Sequence, residues 1–196
     1  MKKIIALLLA LILTVSLCAC GHDRPDTGET KDVKSEGGKT LIVYFSWSNN
    51  TDTMAGYIHK VVGGDIERIE PVTAYPENYD ETADLAKTQR DNGERPAFKS
   101  LTYNPEDYDT IFIGYPIWWY ELPIIMRTFF DTYDLSGKNI IPFNTHEGSG
   151  NSGTYDQIRE LEPNAEVLKG LAIRGGDIDD ADSATKVEEW LKSLGF

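Results

Sequence analysis

Leu41-Ile42-Val43-Tyr44-Phe45-Ser46-Trp47-Ser48-Asn49-Asn50-Thr51 is the stretch whose reading decides the architecture of this chain. Residues 41–45 are apolar, β-branched or aromatic throughout. A run of that kind is a strand buried on both faces, as in parallel sheets. At Ser46 the character changes. Ser46, Ser48, Asn49, Asn50 and Thr51 carry small hydroxyls or amides. Beyond them Met54, Ala55, Ile58, Val61 and Val62 fall at helical spacing, and Gly63-Gly64 closes the pattern. Strand, hydroxyl-rich loop and helix N-terminus in succession form the geometry of an anion site. The first N–H groups of the helix lack acceptors of their own, and its dipole favours negative charge there. The same residue types cap helices, so a capped turn without a ligand is the alternative.

Downstream, residues 65–70 with Ile66 and Ile69 read as a short second strand near a sheet edge. Residues 71–96 differ: Tyr75-Pro76, Tyr79, a polar helical segment through Ala83, Leu85 and Ala86, then Arg95-Pro96. Their low apolar content marks an insertion lying over a surface. Residues 108–115 form a central third strand, ending in Gly114-Tyr115-Pro116-Ile117-Trp118-Trp119-Tyr120-Glu121-Leu122-Pro123. Pro123 suits a helix first turn, and Ile124, Ile125, Phe129 and Phe130 continue it. Residues 139–143 are the fourth strand. Asn144-Thr145-His146-Glu147-Gly148-Ser149-Gly150-Asn151-Ser152-Gly153 follows as a glycine-rich loop. A short helix over 155–161, a fifth strand over 167–173 and a helix over 182–194 complete the chain. The last helix sets Ala184, Val187, Trp190, Leu191 and Leu194 on one face.

Strands alternating with helices predict an α/β fold, a parallel sheet covered on both faces. Ligands in such sheets bind beyond the strand carboxyl ends. The three unusual loops follow strands one, three and four, so all lie along that one edge. The first offers donors to a dianion without Lys or Arg. The second offers flat aromatic faces. The third offers backbone donors. A phosphorylated planar heterocycle uses all three. Neither Gly-x-Gly-x-x-Gly nor a Walker lysine is present, which favours a mononucleotide such as FMN over ATP, GTP or a dinucleotide. Two alternatives stay open for the aromatic loop, core packing and a homodimer surface. Two adjacent tryptophans cannot both point inward from one regular element. Of the three His, His22 and His59 lie away from these loops, and no metal constellation is visible.

The N-terminus has another purpose. Lys2 and Lys3 precede an apolar run over 4–15 that is too short for a stable membrane span. Leu17-Cys18-Ala19-Cys20-Gly21 then resembles the lipobox of bacterial lipoproteins. That resemblance implies a signal peptide over 1–19, lipidation of Cys20 and an extracytoplasmic domain anchored to a bacterial membrane. An ordinary signal peptide is the alternative. Cys18 leaves with the peptide, so the mature domain has no disulfide framework. Residues 20–39 are polar and charged and read as a flexible tether. Residues 40–196 suit one domain. The formal charge is −13, so nucleic acid and anionic lipid surfaces are poor partners.

Over residues 40–196 the chain resembles the flavodoxin-like family, above all its small branch in which the first strand ends Tyr-Phe-Ser and the loop runs to Asn-Thr. The resemblance implies a three-layer, doubly wound, five-stranded parallel sheet with strand order 2-1-3-4-5. It implies an FMN phosphate site at Ser46, Ser48, Asn50 and Thr51, with Trp47 and Asn49 contributing backbone. The family usually has Gly where Asn49 stands, and Asn tolerates left-handed backbone better than most residues. Pro116, Ile117, Trp118, Trp119 and Tyr120 match the loop that stacks on the isoalloxazine in relatives. Thr145, His146, Glu147, Gly148, Ser149 and Gly150 match the loop bordering its pyrimidine edge. Two functions follow: an FMN-dependent oxidoreductase of the NAD(P)H:quinone reductase kind, serving a small acceptor, or an electron carrier between redox proteins. A module that has lost FMN is disfavoured by the intact hydroxyl loop.

Overall fold

The structure, a computed structural model, describes residues 38–196. The expected signal peptide over 1–19, Cys20 and most of the expected tether over 20–39 lie outside the described residues. Among the described residues are six strands and five α-helices, in the order β1 (Thr40–Tyr44), α1 (Asn50–Val62), β2 (Asp65–Arg68), α2 (Tyr79–Asp91), β3 (Thr110–Pro116), α3 (Ile124–Thr132), β4 (Asn139–His146), α4 (Thr154–Leu161), β5 (Glu166–Val167), β6 (Leu171–Arg174) and α5 (Ala181–Ser193). All strand pairs are parallel and the order is β2-β1-β3-β4-β5, with β6 also on β4. This is the doubly wound sheet expected from the sequence.

The all-apolar strands feed two cores at once, because successive side chains leave a strand on opposite faces. Leu41, Val43, Phe45, Ile111, Ile113 and Tyr115 pack with Ile125, Met126 and Phe129 of α3 and Ile158 of α4. Ile42, Tyr44, Phe112, Ile141 and Phe143 pack on the other face. There they meet Met54, Ala55 and Ile58 of α1 and Val187, Trp190 and Leu191 of α5. Val61, expected on the apolar face of α1, is instead exposed near the helix end.

Two expectations of strand extent are corrected. The fourth strand does not stop at Phe143 but runs through Asn144, Thr145 and His146. Asn144 and Thr145 are buried and pair with Tyr115 and Pro116 of β3. The polar residues stay in the strand because Asn144 Oδ1 accepts from the Tyr155 hydroxyl at 2.8 Å and its Nδ2 donates to Gly150 O at 3.2 Å. The single fifth strand over 167–173 is two pieces, β5 and β6, both on β4. The break falls near Gly170, where a Cβ would meet the Tyr155 ring at 2.5 Å and the Pro142 carbonyl at 2.6 Å. No helix among the described residues is long and apolar enough to cross a membrane.

Candidate functional site

The carboxyl ends of β1, β3 and β4 open into one cavity of about 670 Å³, within the roughly 300–1,000 Å³ usual for a single small-molecule ligand. Trp47, Ser48 and Asn50 line it from the first loop, residues 116–120 from the second, and residues 145–149 from the third. The three loops singled out in the sequence therefore meet. Ser46, Asn49, Thr51 and Gly150 do not line the cavity and stand behind it.

The first loop turns sharply at Asn49, which adopts left-handed backbone at φ 68°. Ser46 is buried, and its hydroxyl lies 3.4 Å from the Asp52 amide. Thr51 is buried too, its Oγ1 2.9 Å from Thr145 Oγ1, so a hydroxyl pair ties the first loop to β4. Ser48 is exposed into the cavity beside the start of α1. The amides of Asn50 and Thr51 belong to the first helical turn, where no intrahelical acceptors exist.

The second loop separates the tryptophans. Trp118 turns inward, its ring edge-on to Phe45 at 5.3 Å and to Tyr75 at 5.0 Å. Trp119 and Tyr120 form the tip of a two-residue turn closed by reciprocal bonds between Trp118 and Glu121. Both tip residues have positive φ, 51° and 63°. Such a turn normally takes Asn-Gly, because left-handed backbone is disfavoured once a Cβ is present. Strain of this kind persists only where the surroundings hold it. Here the Trp119 indole donates to Ala83 O at 2.9 Å, and the Arg90 guanidinium sits over its ring.

In the third loop, His146 Nδ1 accepts from the Gly148 amide at 2.9 Å, which places any neutral-ring proton on Nε2. Burial holds the imidazole below its ordinary pKa, against the opposing pull of Glu147. Glu147 is exposed, and its carboxylate lies 3.8 Å from Arg174 Nε, which offsets part of its charge at the cavity rim.

Three contributions were not read from the sequence. The first is the wall of α2, where Tyr79, Thr82, Ala83 and Ala86 face the cavity at helical spacing. The insertion over 71–96 is thus part of the site. It is tied down by the Trp47 indole, which donates to Pro76 O at 2.8 Å, and by Tyr79 against Trp47. Tyr75 packs between Phe45 and Trp118, and burial pushes its hydroxyl up to about 12. The sequence marks residues 71–96 only as an insertion over a surface; which residues of α2 face the cavity is set by the fold. The second is Arg68, whose guanidinium reaches the first loop from β2. The third is Gly175, where a Cβ would meet Asn50 Nδ2 at 2.4 Å and Glu147 Oε1 at 2.6 Å. Among the described residues no group of three or more His, Cys, Asp or Glu could hold a metal.

Comparison with solved structures finds close relatives of this architecture. A proposed flavoprotein from Bacteroides uniformis ATCC 8492 is 31% identical, with a TM-score of 0.70, over 80% of this chain and 99% of its own. One from Bacteroides eggerthii DSM 20697 is 28% identical, also with a TM-score of 0.70, over 81% of this chain and 99% of its own. A flavoprotein from Lactobacillus acidophilus NCFM, solved in complex with FMN, shares the fold. It is 24% identical, with a TM-score of 0.58, over 79% of this chain and 99% of its own. A comparison with curated proteins finds no match. The sequence model of the Flavodoxin family matches residues 39–194, from the residue before β1 to the residue after α5, and the chain belongs to that family.

Proposed function

We infer that this protein binds FMN in the cavity at the strand ends and is an oxidoreductase that passes electrons through it to a small acceptor such as a quinone. The observation that carries the reading is the convergence of an uncharged hydroxyl- and amide-bearing loop at the α1 N-terminus with an aromatic wall in one ligand-sized cavity. The donor set fits the cofactor. Ser48, Asn50 and the first amides of α1 are neutral donors suited to a phosphate. Trp118, Trp119 and Pro116 offer flat apolar surface to the ring. Residues 147–149 bring backbone amides to the third side. Bound FMN would supply the hydride and electron chemistry. The chain binds it, orients it and excludes water from it. His146, neutral and hydrogen-bonded through Nδ1, leaves its Nε2–H as a donor at the cavity wall.

The α2 wall favours the enzyme. It lines the aromatic side of the cavity with uncharged groups only, which suits a flat neutral acceptor better than a charged protein surface. A second reading, an electron carrier between proteins, is favoured by the charge of −13, which steers basic partners. The two are told apart by turnover with quinones against turnover with a basic redox protein.

The cofactor reading makes a direct prediction. Purified protein denatured by heat should release FMN, one per chain, identified by chromatography. Release of FAD, or failure of the apoprotein to take up FMN, overturns it.

We further propose that the protein is exported and held at a bacterial membrane by lipidated Cys20 alone, with residues 20–39 as tether and residues 40–196 as the redox domain. A lipid chain suffices to hold a soluble domain at a membrane when a second acyl group joins it. Cys20→Ser should move the protein from the membrane fraction or block processing. Unchanged fractionation and processing would count against the lipobox.

A further inference from the structure

Helix α1 begins in an uncommon way. Asn at an N-cap ordinarily adopts extended backbone and accepts from an amide of the first turn. Asn49 does neither. Its φ is 68° and ψ −1°, and its side chain makes no bond to the helix. Oδ1 instead accepts from Arg68 Nη1 at 3.1 Å. The same guanidinium donates through Nη2 to the Ser46 carbonyl at 2.5 Å. Arg68 ends β2, in register with Tyr44 on β1, so it reaches the loop from the side away from the cavity. Its charge is partly balanced by Glu70, 3.4 Å from Nε, and Asp52, 3.8 Å from Nη1. One planar fork therefore holds both ends of the Ser46–Asn49 turn.

We propose that Arg68 is a positioning residue for the anion subsite, holding the Asn49 side chain off the α1 N-terminus so that the first helical amides stay open to a phosphate. This rests on the FMN reading and deepens it. The left-handed backbone at Asn49 is intrinsically disfavoured, and the extended alternative would let the side chain cap the helix. Asn49 and a phosphate are then rivals for the same donors, and the guanidinium decides the contest. Lysine cannot replace it, because a single ammonium lacks the rigid fork that bonds both acceptors at once. Glycine at position 49 removes the rival altogether and adopts φ 68° without cost.

The test is titration of the full-length apoprotein with FMN and with riboflavin. Arg68→Met and Arg68→Lys should each weaken FMN about tenfold and leave riboflavin within about twofold. Adding Asn49→Gly to either variant should restore FMN binding. Asn49→Ser, which caps from extended backbone with Arg68 intact, should give the same FMN-selective loss. Failure of Asn49→Gly to rescue, or full FMN affinity in Arg68→Lys or Asn49→Ser, overturns the proposal. Equal binding of FMN and riboflavin by the wild type would instead overturn the phosphate site itself.

Discussion

Ser48→Ala should weaken FMN about tenfold to over a hundredfold while riboflavin binding changes less than twofold. Ser48 is the exposed hydroxyl that the first loop turns into the cavity. A hydrogen bond to a charged acceptor contributes about 1.5–3 kcal/mol, which is that range of affinity. Riboflavin has no phosphate and so has nothing to lose. Thr51→Ala should follow the same pattern through a longer route, since its hydroxyl is paired with Thr145 and the change unties β4 from the loop. Trp118→Ala should do the opposite and weaken both ligands, because both carry the ring. It should also shift the flavin absorbance. Isothermal titration of the three variants with both ligands separates the subsites. If Ser48→Ala weakens riboflavin as much as FMN, the loop is a structural cap and the phosphate assignment fails.

Gly114→Ala should unsettle the whole fold. Gly114 sits in the middle of the sheet, between Tyr44 on β1 and Phe143 on β4. A Cβ there would lie 2.2 Å from Cζ of Phe143 and 2.4 Å from Cε2. That ring is fully buried and packed from the α1 and α5 side, so it has nowhere to retreat. Overpacking of this severity costs about 3 kcal/mol, or roughly 6–12 °C in Tm for a domain of this size. A double variant with Phe143→Leu should recover part of the loss, which calorimetry can measure. An unchanged Tm for Gly114→Ala would mean that the sheet and the α1–α5 layer are packed otherwise.

The sheet was legible because its central strands, β1 and β3, are apolar on both faces, as strands of a parallel sheet covered by helices on both sides are. The site's edge was legible because three irregular loops each followed a strand. What escaped lay across sequence distance. Arg68 reads as an ordinary charge on an edge strand, and only the β1–β2 pairing sets it behind the first loop. Asn144 and Thr145 read as loop residues by polarity, but tertiary partners, the hydroxyls of Tyr155 and Thr51, keep them in β4. Tyr79, Thr82, Ala83 and Ala86 carry too little apolar surface to announce a buried face, because the surface they meet is a cavity. The aromatic loop was legible as part of the site, but the turn that sets Trp118 inward and Trp119 at its tip was not, because Trp119-Tyr120 lacks the Asn-Gly that normally marks such a turn.

The distribution of indoles has an optical consequence. The chain has four tryptophans, and three of them, Trp47, Trp118 and Trp119, surround a single cavity. The fourth, Trp190, lies across the sheet against Phe112, shielded from solvent. Emission from the protein is thus divided between a cluster at the cavity and one remote chromophore on the other face of the sheet. A yellow ligand absorbing where indole emits would quench the cluster by contact as well as by energy transfer, and the remote residue by energy transfer alone. Occupancy and exchange of the cavity's ligand can therefore be followed in real time on the unlabelled protein.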